Sequence, residues 1–115
     1  MSKAITKQCW KNSLDALSDY PGSEYIEGWA VTKPSYLAIE HGWLELDGKV
    51  IDPTIPDKAI KYFPVLRFNA GEAWTLAREI GSVPLIWEMP ERWDEYRQAQ
   101  EEAIAFCGPY LKSLM

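Results

Sequence analysis

A chain of 115 residues with 47% apolar and 25% charged content suits one globular domain, with room for one hydrophobic core. Its net charge of −5 argues against non-specific binding to nucleic acid or to an anionic membrane, and no segment approaches the length of a membrane span. Two cysteines make no disulfide scaffold and no signal peptide precedes them, which points to a reducing cytoplasm.

In chain order, residues 1–7 read as a short arm. Thr6 is placed to cap a helix from about Lys7 to Ser18, with Cys9 in its first turn. Trp10, Leu14 and Leu17 form the inward stripe of that helix, with Ser13 inside it and Cys9 at its edge. Tyr20-Pro21-Gly22-Ser23 turns the chain into a strand, Glu24 to Thr32, in which Gly28 marks a close-approach site. Glu40 to Thr54 reads as two strands joined by Asp47-Gly48, a strong two-residue hairpin signal. That turn pairs Leu46 with Lys49, Glu45 with Val50, Leu44 with Ile51 and Trp43 with Asp52. His41 then shares a sheet face with Asp52 on the diagonal, roughly 7–8 Å away.

Pro53 and Pro56 make 53–58 an irregular connection. Tyr62 to Asn69 is extended, and Pro64 confines it to an edge or a bulge. A helix runs from Asn69 or Gly71 to Ile80 and stops at Gly81. Residues 82–90 are irregular, and a last helix runs from Pro90 or Glu91 to Phe106, where Gly108-Pro109 ends it. Its inward positions are Trp93, Tyr96, Ala103, Ile104 and Cys107, with a wet face of acidic residues. The fold class is α+β: a Cys-bearing N-terminal helix on an antiparallel sheet of three to five strands, with further helices in the C-terminal half.

Three residues carry the chemistry. At a helix start Cys9 meets unpaired amides that favour a thiolate and help hold an oxyanion, although a small packing thiol accounts for the same position. His41 is the sole histidine. Asp52, on its face, supplies the orienting half of a nucleophile–base–acid triad, or else serves as a turn carboxylate bonded to local amides. Cys107, at a helix C-terminus, reads as core packing. One His and two distant Cys do not make a zinc site, and the scattered glycines form no phosphate loop, so neither metal nor cofactor is expected. Six Trp and six Tyr predict an aromatic core, or a cleft lined by Trp29, Trp43, Tyr62 or Trp87.

Cys9 with Trp10 and Asn12, Tyr25-Ile26-Glu27-Gly28-Trp29, His41-Gly42-Trp43 and Asp52-Pro53-Thr54 together resemble the transglutaminase-like branch of the papain-like superfamily. The resemblance spans about residues 8–54, and the same order of motifs is similar to that of small bacterial and phage proteins, with Tyr62-Phe63-Pro64 continuing it. It implies Cys9 as nucleophile, His41 as general base and acid, and Asp52 as the orienting acid. Gln8 and Asn12 follow as oxyanion or substrate contacts, together with Trp29 and Trp43.

Two functions are therefore expected. The first is acyl transfer through a thioester on a peptide, protein or small amide: amidase, peptidase, deamidase or amine transfer. The alternative is an inactive binding module of the same fold, such as a phage or host factor that blocks a partner or sequesters a small ligand.

Overall fold

The computed structural model describes residues 8–113. The expected cap at Thr6 and helix start at Lys7 lie outside the described residues. Helix α1 spans Cys9–Ala16 and tightens into a 3-10 turn over Leu17–Asp19. Strands β1 (Glu24–Thr32), β2 (Leu37–Leu46), β3 (Lys49–Ile51) and β4 (Ala59–Asn69) form one antiparallel sheet in the order β3-β2-β1-β4. Helix α2 is Ala70–Ile80, and α3 runs Trp93–Ser113 after two 3-10 turns over Leu85–Glu88 and Pro90–Arg92. The chain is thus α+β, with the cysteine-bearing helix on the sheet.

The hairpin register is Leu46 opposite Lys49, Glu45 opposite Val50 and Leu44 opposite Ile51, but the expected Trp43–Asp52 pair is not formed: β3 ends at Ile51, where Asp52 turns its carboxylate to the Thr54 and Ile55 amides. Asp47 and Gly48 both have positive φ, as a two-residue turn of matching twist requires. β4 is an edge strand, and its register with β1 slips between Glu27 and Gly28, beside Pro64. Gly28 is obligatory there, because a Cβ would sit 2.2 Å from the Phe63 carbonyl oxygen. The bulged residue's carbonyl is capped by Arg92, whose Nη2 donates to Val65 O at 3.0 Å.

Strand alternation sorts the sheet into two unlike faces. Tyr25, Glu27 and Trp29 of β1 stand with Leu44, Gly42 and Glu40 of β2. Against this face pack Leu14 and Leu17 of α1, Ala73 of α2 and the buried Leu85 and Ile86. Ala99, Ala103 and Cys107 of α3 pack on its other end, over Trp29 and Val31. The opposite face carries Ile26, Ala30, His41 and Trp43, with Tyr62 reaching it from β4.

The last helix does not stop at Gly108-Pro109 but continues through Pro109 to Ser113. Tertiary stacking holds that end: Tyr110 stacks on Tyr36 at 4.7 Å and tilts against Phe106 at 5.4 Å. Trp93 and Ile104, expected inward, are half exposed; the small residues Ala99 and Ala103 take the buried stripe and let α3 lie close to the sheet. No helix among the described residues is long and apolar enough to cross a membrane.

Candidate functional site

β2 carries two adjacent residues that matter most, His41 and Gly42, and pleating sends their Cα substituents to opposite faces. On one side His41 is fully buried, packed beside Trp43 and Tyr62 at ring separations of 6.0 and 6.4 Å. The 52–58 connection folds over this side and delivers Asp52, whose Oδ2 lies 2.7 Å from His41 Nε2. Tyr62 donates its hydroxyl to the same oxygen at 2.8 Å, while the Thr54 and Ile55 amides donate to Oδ1 at 3.0 Å each. Burial alone would raise the Asp52 pKa, but the bonds from His41, the Ile55 amide and Tyr62 outweigh it and hold the carboxyl below its usual range. Asp52 is therefore both the turn carboxylate and the histidine's partner. Its four donors fix the ring through Nε2 and leave Nδ1, which is buried and has no hydrogen-bond partner among the described residues.

On the other side, α1 begins at Cys9 directly against Gly42. A Cβ on Gly42 would lie 2.8 Å from Trp10 Cδ1 and 3.1 Å from Trp10 Cα, so only glycine lets the helix seat here. β3 pairs with β2 only from Leu44 to Leu46, which leaves the outer edge of β2 open at Gly42. The backbone N–H groups of Gly42 and Trp10 lie close enough to the Cys9 thiol to favour its ionised form. The first of these amides belongs to the His41–Gly42 peptide bond, so thiol and imidazole flank one peptide unit. No hydrogen bond joins the sulfur to Nδ1. Asn12, one turn along α1, donates to Thr54 Oγ1 at 3.1 Å and ties the helix to the loop that carries Asp52.

The thiol's state differs from the expectation drawn from its helix position. Cys9 is only 1% exposed and lies inside the buried stripe rather than at its edge. Burial pushes its pKa up to about 11, reinforced by the charges of Asp52 and Glu27, and the Gly42 and Trp10 amides recover only part of that rise. An eight-residue helix contributes too little at its N-terminus to overcome such desolvation.

Of the remaining candidates, Gln8 is exposed and stands at the N-cap of α1 with no capping side-chain bond. Trp29 and Trp43 do not line a cleft. Both are buried, Trp29 with its Nε1 donated to the Tyr96 carbonyl at 3.0 Å. Of the four aromatics considered for a cleft, Trp87 alone is exposed, with its ring 5.8 Å from Trp10.

A second buried carboxylate was not among the expected site residues. Glu27, opposite Gly42 on β1, accepts Leu85 N–H at 2.7 Å, Ile86 N–H at 2.9 Å and the Tyr25 hydroxyl. Burial, set against these donors, raises its pKa. Nearby, Glu40 accepts from the Tyr96 hydroxyl at 2.7 Å and from Trp87 Nε1 at 3.3 Å. Glu27 alternates with Tyr25 and Trp29 on one face of β1, and an acid at an inward period-two position among aromatics is the signal that would have found it. Comparison with protein-family models, with curated proteins and with solved structures finds no match.

Proposed function

We propose that this chain is a thiol-dependent acyl-transfer enzyme of the reducing cytoplasm, with Cys9 as nucleophile, His41 as general base and acid, and Asp52 as the acid that orients the imidazole. The observation that carries the reading is the unpaired, buried Nδ1 of a ring locked through Nε2 to a carboxylate, next to the peptide whose N–H lies close to the Cys9 thiol. Unpartnered buried polar atoms also occur at Trp10, Ser13, Ser23 and Trp43, so it is the carboxylate lock on Nε2 together with the neighbouring thiol, and not the unpaired nitrogen by itself, that supports the reading.

In this mechanism the thiol, which makes no hydrogen bond to the imidazole at rest, must first come within reach of Nδ1 around the open edge of β2. The Cys9 S–H proton then passes to His41 Nδ1 as the sulfur attacks the carbonyl carbon of an amide or ester. The C–N or C–O bond then breaks, and the leaving amine or alcohol takes the proton from Nδ1. Water or a second amine attacks the thioester, giving its proton to Nδ1, and the sulfur leaves and is reprotonated from it. Because the resting thiol keeps its proton, transfer is coupled to attack rather than preceding it. Substrate must also part the cover of the first turn of α1, where Trp10 meets Trp87.

The same burial favours a second reading, a binding module that keeps the fold without turnover, since a fully packed, protonated thiol is also what structural cysteines show. Labelling by a vinyl sulfone, read by intact mass at neutral pH, separates the two. Acyl transfer expects Cys9→Ala to abolish labelling, Cys107→Ala to leave it, and His41→Ala to slow it about a hundredfold. Equal loss from both cysteine substitutions, or indifference to His41, sinks the enzyme reading.

A further inference from the structure

A cleft of about 470 Å³ opens between α1 and α2, on the far side of Trp10 from Gly42, and the thiol does not line it. Its walls are Trp10 and Leu14 of α1, Trp74 and Ala77 of α2, and Val83 beyond. That size lies within the range of small-molecule sites, and its wall is apolar in the manner such sites require. Trp74 is left 37% exposed here, although an indole of that size would ordinarily be drawn into the core.

Charge at the rim selects the occupant. Lys11 is spent on Asp15, with Nζ and Oδ2 2.9 Å apart. Arg78 forms no ion pair among the described residues and stands four positions from Trp74 on the same face of α2. Its place in the last turn of that helix suits the local dipole, a role any cation there fulfils, but that role uses none of its fork of N–H donors. On a chain of net charge −5, an unpaired guanidinium over an indole-walled cleft is complementary to one kind of ligand. We propose that this cleft binds an aromatic carboxylate: the ring lies between Trp10 and Trp74, and the carboxylate accepts two N–H bonds from Arg78. The site is independent of thiol chemistry and stands whether or not Cys9 reacts.

Indole-3-acetate is the probe, titrated by calorimetry into the full chain carrying Cys9→Ala, with the neutral isostere indole-3-acetamide in parallel. Saturable binding of the acid is expected, at least about tenfold tighter than the amide, with Arg78→Gln erasing the difference. Trp74→Ala, an exposed position that leaves the core intact, weakens both probes, and Ala77→Leu blocks both by filling the cleft. Thermal melts establish that each variant is folded. Three results overturn the proposal: no saturable binding of the acid through the millimolar range, equal binding of acid and amide, or affinities indifferent to Arg78→Gln and Ala77→Leu in folded protein.

Discussion

Asp52 Oδ2 stands 2.7 Å from His41 Nε2 in a site closed to solvent, and that one bond fixes which imidazole nitrogen is left to work. Because the carboxylate also collects two loop amides and the Tyr62 hydroxyl, removing it orphans four donors at once. Asp52→Ala is expected to destabilise the fold by about 3 kcal/mol or more, as is usual when one partner of a buried charged network is deleted. Asp52→Asn keeps the volume and one acceptor, so it should fold and yet lose His41-dependent labelling of Cys9. Urea unfolding and intact-mass labelling on the same samples separate the two effects.

Gly42 is the point on which the helix and the histidine strand agree. A methyl there meets backbone as well as ring atoms of Trp10, so relief requires moving the first turn of α1 rather than turning one side chain. Gly42→Ala should cost about 1–3 kcal/mol and displace the sulfur from the Gly42 amide. Gly108→Ala is the control. It lies inside α3 with nothing within 4 Å of the added carbon, and should gain up to about 1 kcal/mol by restricting the unfolded chain. Chemical denaturation midpoints at constant m-value measure both.

Local chemistry and non-local contact divide what was legible in the chain. The hairpin register followed from Asp47-Gly48, since two positive-φ residues admit one pairing, and it brought the chain to within a residue of Asp52, which reaches His41 from the connection after β3. Asn69 and Gly81 bounded α2 because both act within a turn of their own position, Asn69 accepting from Glu72 N–H and Gly81 adopting a left-handed φ. Other features depend on partners far along the chain. Glu27 is buried because its amide donors lie 58 and 59 residues away. α3 outruns Gly108-Pro109 because Tyr110 finds Tyr36. The Cys9 pKa turned on how deeply its helix would be covered, which no spacing in the sequence encodes.

The Cys9 thiol supplies a prediction on the alkaline side. In the unfolded chain it titrates near 9.0, and in the fold burial pushes it up to about 11. A group raised in this way contributes stability that is complete below the lower value and is lost as pH rises through the upper one. Stability should therefore fall between about pH 9 and 11 relative to Cys9→Ser, which cannot titrate there. Iodoacetamide should alkylate native Cys9 slowly at neutral pH, with a rate climbing toward a midpoint near 11. A midpoint at or below 9.0 in folded protein would contradict the burial that sets this thiol's resting state.

Glu27 and Asp52 are both buried carboxylates, but their pKa values move in opposite directions, so their contributions to acid stability have opposite slopes. Asp52 is held down: its contribution is present above the ordinary carboxyl range and fades as pH falls through its folded value. Glu27 is pushed up: its contribution is complete below that range and declines as pH rises through its folded value. Glu27→Gln keeps the neutral character but loses one of the two acceptors used by Leu85 and Ile86, at a cost of about 1–2 kcal/mol. That deficit should shrink as pH rises, since the parent loses its advantage while glutamine does not titrate, whereas the deficit of Asp52→Asn should grow. Urea midpoints of the parent and both variants across the acid-to-neutral range test the pair, and parallel slopes would show that one of the two carboxylates is assigned the wrong direction. Because Glu27 also anchors Leu85 and Ile86, which lead into Trp87, hydrogen exchange over the 85–88 turn should quicken in Glu27→Gln while the amides of Thr54 and Ile55 stay protected.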